Sequence, residues 1–254
     1  MADARPSVLL RLLLVLAGLG LLAVGFVWKQ LPRAGEPRIE AALELVGLHD
    51  GRQSYAWVLR TRSGALLIDT GGDADGRLLL RELAAQKLEP KDVHTVLLTH
   101  GHPDHWAAAH LFPQARVLVG PGETAVVKGE RKLKSPVGRL LGSGLMEAPP
   151  RPEKVEELQD GQVLELDGEQ LRVLHVPGHT PGSVMYLWRD ILFTGDSLIG
   201  GPDGVKLAPS VFSEDVGGNR ESLKRLVDEP FTCIADGHAG LTCNARLKLR
   251  ALLK

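Results

Sequence analysis

The run Thr99-His100-Gly101-His102-Pro103-Asp104-His105 places three histidines and an aspartate within six positions of a chain that has nine histidines in all. The apolar residues before it read as a strand. In an extended chain, side chains two positions apart leave on the same side, so the imidazoles of His100 and His102 can share one metal ion. Pro103 suits the first turn of a helix, which brings Asp104 and His105 to that helix's N-terminal end, where they can face a second ion.

Similar residues recur further along. "VLHVPGHTPGS" delivers His179, "ILFTGDSL" delivers Asp196 and "CIADGHAG" delivers His238, each after an apolar strand and beside glycine, which lets the backbone turn sharply. Imidazole and carboxylate ligands without a thiolate suit zinc, and equally iron or manganese. A metal whose protein ligands leave a position open for water and substrate signals catalysis. Two cations sharing a water would supply hydroxide near neutral pH, and it would attack a carbonyl whose oxygen a metal polarises. Asp104 could orient that nucleophile or pass a proton to the leaving group.

These residues follow strands. Apolar and alternating runs predict strands at Ile39 to Val46, Tyr55 to Thr61, Ala65 to Asp69, Thr95 to Thr99 and Val117 to Val119. Further strands are predicted at Gln162 to Leu166, Leu171 to Val176, Val184 to Trp188, Ile191 to Thr194 and Thr232 to Ala235. Helical spacing fits Gly76 to Gln86, Pro103 to Leu111, Asn219 to Asp228 and Asn244 to Leu253. The order implies a mixed α/β domain over 39–254, not a doubly wound parallel sheet. Pro121 to Pro152, rich in Lys, Arg, Gly and Pro, reads as a solvated surface insertion. The sharper alternative is a mobile flap whose Lys128, Arg131, Lys132, Lys134 and Arg139 attract an anionic substrate or membrane headgroups. Trp106 is expected to be core packing and not a substrate wall.

A net charge of -1 disfavours nucleic acid as a partner. Cys233 and Cys243 are expected to be buried, inert thiols, with a single bridge as the alternative. Residues 1–28 read as an N-terminal transmembrane helix, because Leu12 to Trp28 carries no charge and at 1.5 Å per residue nearly crosses a hydrocarbon core of about 30 Å. A cleaved signal peptide is the alternative. Residues 29–38 are the linker, and the catalytic domain is expected outside the cytoplasmic membrane.

With these motifs in hand, residues 39–254 resemble the metallo-β-lactamase superfamily: Asp69 in "LLIDTGG", the "HGHPDH" run, His179, Asp196 and His238 follow in order. The resemblance implies a four-layer αββα sandwich with two metals, most often zinc, at one edge between two sheets. It implies His100, His102 and His179 on one ion, Asp104, His105 and His238 on the other, Asp196 bridging, and Asp69 outside them fixing the histidine loop. "PGHTPGS", "FTGDSL" and "DGHAG" look like the glyoxalase II branch, although only sixteen residues follow His238, which casts doubt on a glutathione thioester. The expected activity is metal-dependent hydrolysis of an ester, thioester or lactone of a small molecule. A β-lactamase and a one-iron persulfide dioxygenase are the alternatives.

Overall fold

The computed structural model describes residues 38–42, 45–49, 54–140, 148–201 and 204–254. The predicted membrane segment 1–28 and most of the linker lie outside the described residues. Among the described residues, no helix is long and apolar enough to cross a membrane.

The first sheet has seven strands in sequential order: β1 (Arg38–Ala42), β2 (Leu45–His49), β3 (Tyr55–Arg60), β4 (Ala65–Ile68), β5 (Val93–Leu97), β6 (Arg116–Val119) and β7 (Val155–Glu157). Strands β1 to β4 form an antiparallel meander and β4 to β7 run parallel. The second sheet takes the order β15-β14-β11-β10-β9-β8, built from β8 (Val163–Leu166), β9 (Glu169–His175), β10 (Val184–Trp188), β11 (Ile191–Gly195), β14 (Cys233–Asp236) and β15 (Leu241–Cys243). A hairpin of β12 (Ile199–Gly201) and β13 (Gly204–Lys206) stands apart from both sheets.

Three buried clusters stack these elements into layers. Between the sheets pack Tyr55, Trp57 and Ile68 with Tyr186, Trp188 and Phe193. The outer face of the first sheet is covered by α1 (Arg77–Ala85), through Leu79 and Leu83. The outer face of the second is covered by Leu223, Leu226 and Phe231 and by α6 (Ala245–Leu253), through Ala245 and Leu249. Helix, sheet, sheet and helix therefore follow in that order, as strands apolar on both faces require.

Several boundaries differ from the sequence reading. The single strand expected over Ile39 to Val46 is an antiparallel pair, β1 and β2. The helix expected over Pro103 to Leu111 is one turn, α2 (Pro103–Trp106), followed by a 3-10 turn at Ala109–Leu111. The His105 carbonyl, which a continuing helix would use to accept from residue 109, accepts instead from the Thr70 N–H at 2.7 Å. Helix α5 (Val216–Ser222) begins earlier than Asn219 because the Asp215 side chain caps it, accepting from the Gly218 N–H, despite two glycines in its first turn.

The described part of 121–152 is solvated only on one side: Lys128, Lys132, Lys134 and Arg139 are exposed, but the segment also packs inward. It contains α3 (Thr124–Val127) and α4 (Pro136–Leu140), and Glu123, Val126, Val127 and Leu133 are buried. Of the five cations named above, Arg131 is engaged by Glu123 and Glu214.

The expectation of free thiols is also corrected. Cys233 and Cys243 face each other across the β14·β15 pair with Cα atoms 4.0 Å apart and form a disulfide. Antiparallel pairing brings them together although ten positions separate them in sequence. Closing so short a loop contributes about 2–3 kcal/mol, so a dithiol reductant is expected to lower the unfolding midpoint by about 5–10 °C. Equal midpoints with and without reductant would exclude a closed bridge.

Candidate metal centre

The relevant loops leave the C-terminal ends of β4, β5, β9, β11 and β14, so both sheets contribute to one edge. Bonds across the sandwich hold that edge together. The Val184 N–H donates to the Thr99 carbonyl at 2.9 Å and the Tyr55 N–H to the Gly237 carbonyl at 2.8 Å. The Tyr186 hydroxyl donates to the Leu98 carbonyl at 2.7 Å.

Strand β5 ends at Leu97, short of the histidines, and Asp69 takes over two residues on, at Thr99. Asp69 lies just past β4 with a left-handed backbone (φ 55°) and is 2% exposed. Its carboxylate accepts from the Thr99 N–H at 2.8 Å, the Thr99 hydroxyl at 2.7 Å and His105 Nδ1 at 2.8 Å. The Thr99 proton being so committed, its oxygen accepts from His100 Nδ1 at 3.1 Å, which leaves the lone pair of His100 on Nε2.

His100 Nε2, His102 Nδ1 and His179 Nε2 then converge, at 3.0 Å, 2.9 Å and 3.2 Å from one another. A tetrahedral ion with metal–nitrogen bonds of about 2.0–2.1 Å sets its ligand nitrogens roughly 3.3 Å apart, close to this spacing. Asp196 completes the group, and Asp104, His105 and His238 form a second; within each group the ligand atoms lie within 4.8 Å of one another. The Asp196 carboxylate touches both, its Oδ2 lying 3.0 Å from His238 Nε2 and 3.6 Å from His179 Nε2, its Oδ1 3.2 Å from His105 Nε2. Asp104 Oδ2 stands 3.7 Å from His105 Nε2 and 3.9 Å from His238 Nε2. All seven residues singled out in the sequence are thus brought together, with Asp69 behind them.

The electrostatics separate the two groups. Burial pushes His100, His102 and His179 below the ordinary histidine value, and neighbouring imidazoles add to this at His100 and His179, so all three are neutral and ready to ligate at neutral pH. Burial opposes charge on His105 and His238 too, but Asp196 overrides it, raising His105 well above the ordinary value and His238 to about 9. Burial would likewise raise Asp196, but His238 and His105 hold it well below the usual carboxylate range. Protons on those two imidazoles occupy positions a cation would take. His105 Nε2 and Asp196 Oδ1 are buried and close but make no aligned hydrogen bond, so the donor set fits a metal better than it fits itself.

Sequence reading passed over several residues that shape these loops. Asp236, fully buried, accepts from the His238 N–H at 2.8 Å, the Ala239 N–H at 2.6 Å and the Gly200 N–H at 2.9 Å, folding the His238 loop and pinning the β12–β13 hairpin to it. An aspartate at a strand end two positions before a histidine is the signal that could have found it. Ser213 Oγ lies 3.2 Å from His179 Nδ1. Trp106 is core, as expected, but its indole N–H also donates to the Gly101 carbonyl at 2.9 Å. The histidines left without a role lie elsewhere: His110 and His175 bond to the backbone of Ala107 and Pro181, His94 faces the Ser63 carbonyl, and His49 packs on Tyr55.

Hydroxyacylglutathione hydrolase of Aeromonas salmonicida (strain A449) is 33% identical over 178 residues, which are 70% of this chain and 57% of that protein. The chain thus spans a little over half the length of that curated relative. A solved metallo-beta-lactamase family protein of Thermus thermophilus aligns with a TM-score of 0.64 at 26% identity, over 85% of this chain and 76% of that one. The metallo-beta-lactamase MIM-1 from Novosphingobium pentaromativorans shares the fold, with a TM-score of 0.62 at 20% identity over 83% of this chain and 84% of that one. The model of the Metallo-beta-lactamase superfamily matches residues 49–238, a span that begins at the end of β2 and closes on His238. The chain belongs to the metallo-beta-lactamase superfamily.

Proposed function

We propose that the protein is a metal-dependent hydrolase with two zinc ions. His100, His102 and His179 hold one, Asp104, His105 and His238 the other, and Asp196 both. The observation that carries this reading is the pair of ligand groups joined through one carboxylate. Seven ligands in two groups also favour it over a one-iron dioxygenase.

Bound metal supplies Lewis acidity, which lowers the pKa of water and polarises a carbonyl oxygen. The chain's own part is to fix and to move protons. Asp69 holds the His105 ring through Nδ1 and keeps its Nε2 directed into the site. Asp104, the most exposed of the ligands at 31%, borders solvent and is the group suited to carry a proton from the attacking water to the leaving group. The substrate proposed is an ester, thioester or lactone of a small molecule. Likeness to a hydroxyacylglutathione hydrolase supports the thioester among these. An extracytoplasmic location is part of the proposal; the Cys233–Cys243 disulfide supports it, since such bonds persist in oxidising compartments.

The purified chain is expected to contain about two zincs and to hydrolyse one of a panel of aryl esters, thioesters and lactones, with Asp104→Ala reducing kcat/KM by about 10²–10⁴-fold. Activity that survives chelation, or is undiminished in the Asp104 variant, would overturn the mechanism. One iron with oxygen uptake would point to the dioxygenase, and cleavage confined to a chromogenic β-lactam to a β-lactamase.

A further inference from the structure

Glu123 is a carboxylate with no exposed surface, and it belongs to neither ligand group. It sits just ahead of α3, between the loop that follows β5 and the loop that follows β9. Its Oε1 accepts from the Gly182 N–H at 3.0 Å, and its Oε2, buried and without an aligned hydrogen bond, packs against Gly101. Gly101 lies between His100 and His102, while Thr180 and Gly182 follow His179. One buried carboxylate therefore bonds to the loop after β9 and packs against the loop after β5, which come from different sheets.

The two glycines make room for it. A Cβ at Gly101 would stand 2.4 Å from Glu123 Oε2, and one at Gly182 would stand 2.6 Å from Glu123 Cγ and 2.2 Å from the Pro121 carbonyl oxygen. A methyl group at either position would push the carboxylate out of the slot. The opposite side of Gly101 is fixed by the Trp106 indole on its carbonyl.

The charge is answered by Arg131. One guanidinium nitrogen lies 3.6 Å from Glu123 Oε1 and another 3.5 Å from Glu214 Oε1. Glu214 returns to the site through its backbone, where its N–H donates to the His179 carbonyl at 3.0 Å. A second path thus runs from the carboxylate, through Arg131 and Glu214, to the same histidine. Burial raises the Glu123 pKa, and the Gly182 N–H and Arg131 oppose that rise.

We propose that Glu123 is a positioning residue that locks the loop of His100 and His102 to the loop of His179, with Arg131 as its counter-charge, and so sets the convergence of the three imidazoles. The inference rests on the proposed reading that these histidines hold a metal. A strut of this kind acts on the metal through ligand geometry, and loss of such outlying support costs about 10–100-fold in metal affinity.

The test is zinc titration of the metal-free full chain against a chromophoric chelator, for the parent, Glu123→Ala, Glu123→Gln and Arg131→Met, with circular dichroism to establish the folded fraction. The parent is expected to bind two equivalents. In Glu123→Ala one equivalent should weaken about 10–100-fold while the other holds. Glu123→Gln, which keeps one acceptor for Gly182, should lie between, and Arg131→Met should weaken the same equivalent. A purely structural role would lower the unfolding midpoint and leave the affinity of folded protein unchanged. Should Glu123→Ala fail to fold, Arg131→Met, at a side chain 27% exposed, decides the matter. Parent and folded variants binding zinc alike would overturn the strut alone; a parent that binds no zinc would overturn the ligand reading, and the strut with it.

Discussion

Replacing Asp196 with alanine is expected to lower kcat/KM by about 10³-fold or more and to leave at most one tightly bound zinc per chain. Among the described residues its carboxylate reaches both ligand groups, with His238 and His179 on Oδ2 and His105 on Oδ1. Metal polarisation of a reacting oxygen is worth several kcal/mol, and each 1.4 kcal/mol is about a decade in rate. The variant also loses the group that raises the pKa of His238 and His105, so its metal-free form should bind fewer protons near neutral pH than the parent. The checks are metal content by elemental analysis, steady-state kinetics on the best substrate, and the proton count released on zinc binding. Two zincs at parental affinity together with parental kcat/KM would remove Asp196 from the bridging role.

Asp69→Ala should be the most damaging substitution outside the seven ligands. The carboxylate satisfies three donors at once, and its removal leaves the Thr99 N–H and His105 Nδ1 buried without an acceptor. Uncompensated buried polar groups of this kind cost about 3–5 kcal/mol together, or roughly 10–15 °C in unfolding midpoint for a domain of this size. Alanine is also a poor fit to the left-handed backbone at this position, whereas asparagine tolerates it. Asp69→Asn should therefore keep much of the stability but, with one acceptor oxygen in place of two, release the His105 ring and weaken zinc at that group by about 10–100-fold. Thermal unfolding and zinc competition on both variants separate these effects. An alanine variant as stable as the parent would contradict the clamp.

The residues that form the two groups were legible because each follows an apolar strand and stands beside glycine, a local pattern that survives without knowledge of pairing. The strands that carry them were legible for the same reason, since continuous buried runs such as Ile191 to Thr194, which leads into Asp196, have no solvent-facing side to confuse their length. What escaped depends on partners distant in sequence. Helix α2 stops because Thr70 claims the His105 carbonyl, and nothing near Pro103 announces that. Glu123 lies in a stretch whose many lysines and arginines suggest solvent, yet it is turned inward by two glycines, one in each histidine loop. Cys233 and Cys243 pair only because β14 and β15 happen to align them.

The division of the ligands between the two sheets has a thermodynamic consequence. The loop after β5 supplies His100, His102, Asp104 and His105, and the second sheet supplies His179, Asp196 and His238, so each group draws on both. With the proposed ligand set, prising the sheets apart and releasing zinc are one event. The stability margin is then set partly by mass action: above saturation, every tenfold rise in free zinc deepens the folded state by about 1.4 kcal/mol per site.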